Sequence, residues 1–277
     1  MHLRLPIIAP LTLLLCLGAG CRDSGGETDR DLARQLERRA ASRPKKASVT
    51  LGSIHHFDGI SADEPVAAEL GDAGRIEVRA AYLVVSAVEL HACEPGLDDY
   101  DSPGAPLLNS IWPLFGGTAR AHVPSSSTRL GTPFVDDLLG KPDSASIVGE
   151  ISPPLAAYCR LYAVVAPADR DVVNSTSLPT DDIVGKSLLV RGRFKPEPDA
   201  DWRDFEIAAD TARPIEIDAV DPQTGQSPLV LKSPDRSVML LLDKTIRPST
   251  FSTDPTADHA ASDILDRLAE TLRVHTY

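Results

Sequence analysis

The sequence predicts an all-β fold: an antiparallel β-sandwich of about ten strands, with one short internal helix and a C-terminal amphipathic helix. Three observations carry that expectation. Of 277 residues, 23 are proline and 18 are glycine, and only 5% are aromatic, so frequent turns and short elements are expected. Between the turns, apolar and charged residues alternate at period two, the pattern of half-buried strands. These runs follow one another without the interposed helices that a parallel βαβ sheet needs.

Taken in order, the chain opens with the three parts of a secretory leader. Met1 to Arg4 is short and positive, Pro6 to Leu17 is apolar, and Gly18-Ala19-Gly20 is small. Pro6 and Pro10 disfavour a membrane-spanning helix in so short a run. The small residues lead directly into Cys21. Leu17-Gly-Ala-Gly-Cys21 resembles the lipobox of bacterial lipoproteins, with Gly18 where that family usually carries leucine. The resemblance implies removal of residues 1–20, a lipid on Cys21 and a place on a membrane of the cell envelope. Arg22 stands where lipoproteins retained at the inner membrane carry aspartate, which points to the outer membrane.

Residues 21–46 read as a tether. Arg22 to Lys46 carries a net charge of +3, and Leu32 and Leu36 make too narrow a stripe to dock a helix. Those residues span roughly 80 Å fully extended and roughly 30 Å as a coil. From Ala47 the net charge is −16, a field that repels nucleic acid and anionic lipid. Residues 47–277 are expected to form the sandwich domain.

Val49, Leu51 and Ile54 begin the first strand, closed by Asp58-Gly59, and residues 66–70 form a second. Residues 75–92 carry the longest β signal. Ile76, Val78 and Ala80 alternate with charged neighbours, and Val84, Ser86, Val88 and Leu90 alternate with Val85, Ala87, Glu89 and His91. That length implies a central strand, or two strands bent at Ala80-Ala81. Residues 94–117 form an irregular excursion rich in Pro, Gly and Asp, and residues 119–123 a short strand. Pro133 at a first helical position and Gly140 beyond the end predict a two-turn helix over residues 133–140. Strands follow at 147–151, 158–166, 187–194, 204–208, 214–219, 228–232 and 237–243. Ile264, Leu268 and Leu272 recur every four residues, the face of an amphipathic helix over 262–273.

Four cysteines are present. With Cys16 removed in the leader and Cys21 lipidated, Cys93 and Cys159 remain as a pair in an oxidising compartment, and a disulfide is expected. Strict alternation turns Cys93 away from the core while Cys159 faces inward with Leu161, Ala163 and Val165. A bulge, or a strand ending at Leu90, reconciles the two.

Tyr82-Leu-Val-Val-Ser-Ala-Val-Glu-Leu90, Phe134-Val-Asp-Asp-Leu-Leu139 and Ile151-Ser-Pro-Pro-Leu-Ala-Ala-Tyr158-Cys-Arg-Leu161 resemble segments of uncharacterised envelope lipoproteins with β-sandwich domains. Some of those are similar to methanobactin-associated periplasmic copper-binding proteins. The resemblance implies fold and location. The histidines and modified tryptophan that hold copper in that group have no position-by-position match here.

No G-x-S-x-G or H-E-x-x-H motif occurs, so nucleophilic and zinc-protease chemistry lack support and a non-enzymatic role is expected. The leading expectation is a lipid-anchored envelope protein whose loops meet a ligand or partner protein. The alternative is a periplasmic copper binder using His55 or His56 with His122; His91 and His259 are isolated. Adjacent strand residues point to opposite faces, so only one of His55 and His56 can join a shared site. Asp98, Asp99 and Asp101, and Asp181 with Asp182, are carboxylates that read as solvated charge before calcium ligands. Trp112 and Trp202 flank loops, and Gly116-Gly117 beside Trp112 makes that excursion the expected recognition element.

Overall fold

A single strand of 18 residues runs through the middle of the molecule and organises it. The computed structural model describes residues 45–61, 64–71, 74–94, 125–174, 176–197, 200–221, 224–235 and 237–277. Strands in chain order are β1 (Ser48–Phe57), β2 (Val66–Glu69), β3 (Arg75–Ala92), β4 (Arg129–Leu130), β5 (Phe134–Asp137), β6 (Ser146–Ile151), β7 (Ala157–Val165), β8 (Val173–Asn174), β9 (Leu188–Lys195), β10 (Arg203–Ala209), β11 (Arg213–Asp218), β12 (Leu229–Val230), β13 (Ser237–Ile246) and β14 (Arg273–Thr276). Two α-helices, α1 (Thr180–Ile183) and α2 (Ala260–Thr271), and a 3-10 turn at Pro248–Phe251 complete the described elements.

The strands form two sheets, one of four strands in the order β14-β13-β1-β6 and one of ten strands built around β3. Apolar side chains from both, among them Leu51, Leu240 and Leu242 from one and Val78, Leu83, Leu90 and Leu161 from the other, share one core. The all-β, sandwich-like expectation therefore holds, but the sheets are mixed. β1 pairs with β13 in parallel over its whole length, from Ser48↔Ser237 to Phe57↔Ile246, and β5 pairs in parallel with β8. Parallel neighbours need a long crossover, and most of the domain lies between β1 and β13.

β3 keeps one strand by changing which edge and which face it uses. Its register shifts between Val78 and Ala80 against β9, and between Val85 and Ala87 and again between His91 and Ala92 against β7. The first two insert a residue into β3, at Arg79 and at Ser86, and reverse its inward parity, whereas the third inserts Cys159 into β7. Leu83 and Val85 face the main core, whereas Tyr82 and Val84 face a second apolar cluster with Val135, Val172, Leu178 and Ile183. After the second shift Val88 and Leu90 point inward, so the single alternation expected from Val84 to Leu90 is broken.

The helix expected over residues 133–140 is not formed. Phe134, Val135 and Asp136 are buried, and they pair with Val85, Val84 and Leu83 as strand β5. The open edge of β3 outweighs the local proline-to-glycine signal, as tertiary pairing commonly does. The C-terminal helix is present, and Ala260, Ile264, Leu265 and Leu268 are its buried face. The chain then continues into β14, which pairs with β13 and was not expected from the sequence.

Candidate functional site

The inner face of β1 begins apolar and turns polar. Val49 and Leu51 are in the core, and the next inward positions are Ser53 and His55, 3% and 5% exposed. In register beside His55 lies Lys244 of β13, 1% exposed. Asp136 of β5, 8% exposed, faces them from the other sheet. Lys244 Nζ stands 2.5 Å from Asp136 Oδ2, donates to Ser53 Oγ at 2.6 Å and to the Leu242 carbonyl at 3.3 Å. Ser53 Oγ donates to the same Asp136 Oδ2 at 2.9 Å.

A lysine hydrogen-bonded to a serine is one arrangement for nucleophilic catalysis. Here the ammonium has three acceptors for its three protons. Ser53 gives its proton to a carboxylate that already holds a cation. The cluster is therefore a satisfied polar tie across the two sheets, and its lysine is not a free base.

A cavity of about 160 Å³ opens beside this tie, lined by β1, β5, the 140–144 turn, β6 and Val173. Asp136, Asp137, His55, Lys141, Ser144 and Ser146 supply its polar wall, and Phe134, Ile147 and Val173 its apolar one. Asp137 Oδ1 accepts the Leu139 amide at 3.1 Å. Burial pushes the Asp137 carboxyl above the ordinary range, against the backbone hydrogen bonds from Leu139 and Gly140 and the nearby His55, while Asp136 adds to the rise. β6 and β8 end their respective sheets, so the cavity sits where the sandwich is open.

His55 and His56 do point to opposite faces, yet both grip the same turn. His55 Nε2 lies 3.1 Å from the Gly140 carbonyl on the inside, and the Asp143 amide donates to the His55 carbonyl at 2.9 Å. On the outside His56 Nδ1 meets the Asp143 carboxylate, and its Nε2 lies 3.3 Å from Asp243 Oδ1. His275 of β14 reaches Asp243 Oδ2 at 2.9 Å. Among the described residues no group of three or more His, Cys, Asp and Glu is arranged to hold a metal ion.

The remaining sequence candidates are dispersed. His122, Cys21, Asp98, Asp99, Asp101, Trp112, the 119–123 strand and the tether lie outside the described residues, apart from Lys45 and Lys46, whose backbones already join the body. His91 packs against Tyr162 with ring centroids 4.5 Å apart and planes tilted by 51°, and His259 lies 3.6 Å from Asp263. Asp182 accepts Arg191 at 2.7 Å, and Trp202 lies beneath Arg193, 5.0 Å from ring centre to guanidinium. Cys93 and Cys159 form the expected disulfide, with Cα atoms 4.9 Å apart. The shift between His91 and Ala92 puts the extra residue in β7, at Cys159, so Tyr158 takes the inward position and the half-buried Cys159 leaves the inward face expected for it. Both cysteines are half-buried.

Sequence reasoning missed Ser53, Asp136, Asp137 and Lys244. One signal was available: Asp and Lys interrupt the inward positions of otherwise apolar strands, where unpaired charge is costly.

No family model matches the chain, and no curated protein matches it. Among solved structures, MbnP from Methylosinus trichosporium is similar over 74% of this chain and 78% of that one, at 10% identity and a TM-score of 0.28. A likeness of that degree assigns neither a site nor a ligand.

Proposed function

We propose that this chain is a lipid-anchored cell-envelope protein whose β-sandwich binds a ligand or partner at the cavity beside β5, without catalysing a reaction. The observation that carries the binding reading is the contrast within that cavity. Ser53 at its wall is engaged with Asp136 and with the buried Lys244, while apolar Ile147 and Val173 stand 55% and 49% exposed at the same wall. Spent catalytic groups beside uncovered apolar surface suit recognition better than turnover. The anchor rests on Leu17-Gly-Ala-Gly-Cys21 and the basic tether, which would hold an acidic body away from an anionic surface. Copper, the alternative, is favoured by no cluster among the described residues.

Fractionation of cells producing the wild type and Cys21→Ala tests the reading. The wild type is expected in the detergent-soluble membrane fraction and the variant in the soluble periplasmic fraction. Equal membrane association of the two would remove the anchor. Elemental analysis of the same wild-type preparation tests copper, with a stoichiometric metal overturning the metal-free reading.

A further inference from the structure

We propose that His56 is a proton-operated latch that fastens the 140–144 turn to the outer face of the four-stranded sheet. Gly140, Lys141 and Ser144 of that turn wall the cavity, so the latch acts on the mouth of the cavity whatever ligand it takes. The ring of His56 meets a carboxylate at each nitrogen: Asp143 of the turn at Nδ1, and Asp243 Oδ1 of β13 at Nε2, 3.3 Å away. A neutral imidazole has one N–H and a bare lone pair at its other nitrogen, so one of the two carboxylates then faces a lone pair. Only the imidazolium donates to both. The proton on this ring therefore decides whether the turn and β13 are tied together through it.

Asp243 gives the arrangement its direction. The residue is 9% exposed, and its Oδ1 is buried without a hydrogen bond. A buried carboxylate oxygen left in that state is costly. The 3.3 Å contact from His56 is long for a hydrogen bond and within ion-pair range, so charging the ring serves this oxygen as well as Asp143. The other oxygen is occupied by His275 Nε2 of β14, at 2.9 Å. Arg273 lies opposite Asp243 in register and donates from Nη1 to the Leu272 carbonyl. Arg247 and Asp58 pair with each other beyond the strand ends. Lys244 and His55, next along the strands, point to the other face, and Lys141 is exposed on the turn. β6 leaves the register of β1 at Ser53, before His56 is reached.

The turn carries a backbone conformation that the latch helps to keep. Asp143 has a φ of 59°, a left-handed state that a residue other than glycine adopts at a cost. Its amide donates to the His55 carbonyl at 2.9 Å, and His55 Nε2 meets the Gly140 carbonyl at 3.1 Å. Those two contacts hold in either state of His56, and the ion pair adds to them when the ring is charged. Histidine changes charge between about pH 5 and about pH 8. The latch is accordingly fast at the acid end of that interval and slack at the alkaline end.

The Asp143 amide reports the latch, because its hydrogen bond to His55 breaks when the turn lifts. The test is amide hydrogen exchange of the ¹⁵N-labelled full chain in detergent from about pH 5 to about pH 8, corrected for intrinsic rates. The Val84 amide, bonded to the Ser187 carbonyl within the body, serves as the reference for global opening. Protection at Asp143 is expected to be about threefold to fivefold higher at the acid end, the range of an exposed ion pair, with no matching change at Val84. His56→Gln is expected to flatten the profile. Asp143→Asn, which keeps a residue tolerant of the left-handed backbone, is expected to flatten it too, whereas His275→Gln is expected to retain it. Protection at Asp143 that is constant or rises with pH overturns the proposal, as does a parallel change at Val84. So does a wild-type profile in His56→Gln or in Asp143→Asn, or a flat one in His275→Gln.

Discussion

Lys244 joins the two sheets through its ion pair with Asp136. A buried ion pair adds little over an apolar replacement, but removing one partner leaves an uncompensated charge and costs about 3–5 kcal/mol. Lys244→Met is therefore expected to lower unfolding stability by about that amount in urea titration, because Asp136 stays buried. Lys244→Met combined with Asp136→Leu is expected to recover most of the loss. Glu89 gives a second prediction. Arg129 donates to both its oxygens, at 2.9 and 2.7 Å. Burial opposes its ionisation, but the hydrogen bonds and charges of His91 and Arg129 outweigh burial and hold its carboxyl below the usual range. A depressed carboxylate stabilises the fold above its unfolded pKa, and that contribution is lost as pH falls through the folded value. Denaturation at a series of pH values should show Glu89→Gln less stable at neutrality and less sensitive to acid than the wild type. Asp137 has the opposite sign: with its folded pKa raised, stability falls as pH rises through the interval between the unfolded and folded values. Asp137→Asn is expected to be more stable than the wild type at neutral pH.

β3 shows at the scale of elements what the sequence could and could not reveal. Its length and strand character were legible from Ile76, Val78 and the β-branched run beyond Tyr82, but its three register shifts were not. A bulge depends on which neighbour pairs at each edge, and that is decided far away in the chain. The same competition turned residues 134–137 from helix into strand, since the free edge of β3 supplied hydrogen bonds that a two-turn helix could not match. Gly192 marks the closeness of the β3–β9 contact: a Cβ there would stand 2.1 Å from the Glu77 carbonyl oxygen. Gly192→Ala is thus expected to cost about 1–3 kcal/mol through backbone displacement, read as a lowered midpoint in thermal unfolding. The disulfide closes a separation of 66 residues and joins β3 to β7. In the chain-entropy model its removal costs about 4 kcal/mol, to be measured as the difference in urea stability with and without reductant.

The whole molecule combines an acidic β body with a basic segment and an apolar N-terminal run that ends in small residues before Cys21. Fold class, the disulfide pair and the C-terminal helix were readable because periodicity and cysteine count are local or additive properties. The cavity was not, because Ser53, Asp136 and Lys244 come from three distant strands and meet only when the two sheets close. Their meeting engages Ser53 and Lys244 with Asp136, and the proposed binding role rests on that engagement. The proposed anchor at Cys21 is what the functional reading hangs on, and one measurement addresses it: the intact mass of the N-terminal peptide of the mature protein isolated from its native source. The account predicts a peptide beginning at Cys21 and carrying acyl chains on that cysteine. A peptide beginning elsewhere, or an unmodified Cys21 in a protein recovered from the soluble fraction, would contradict it.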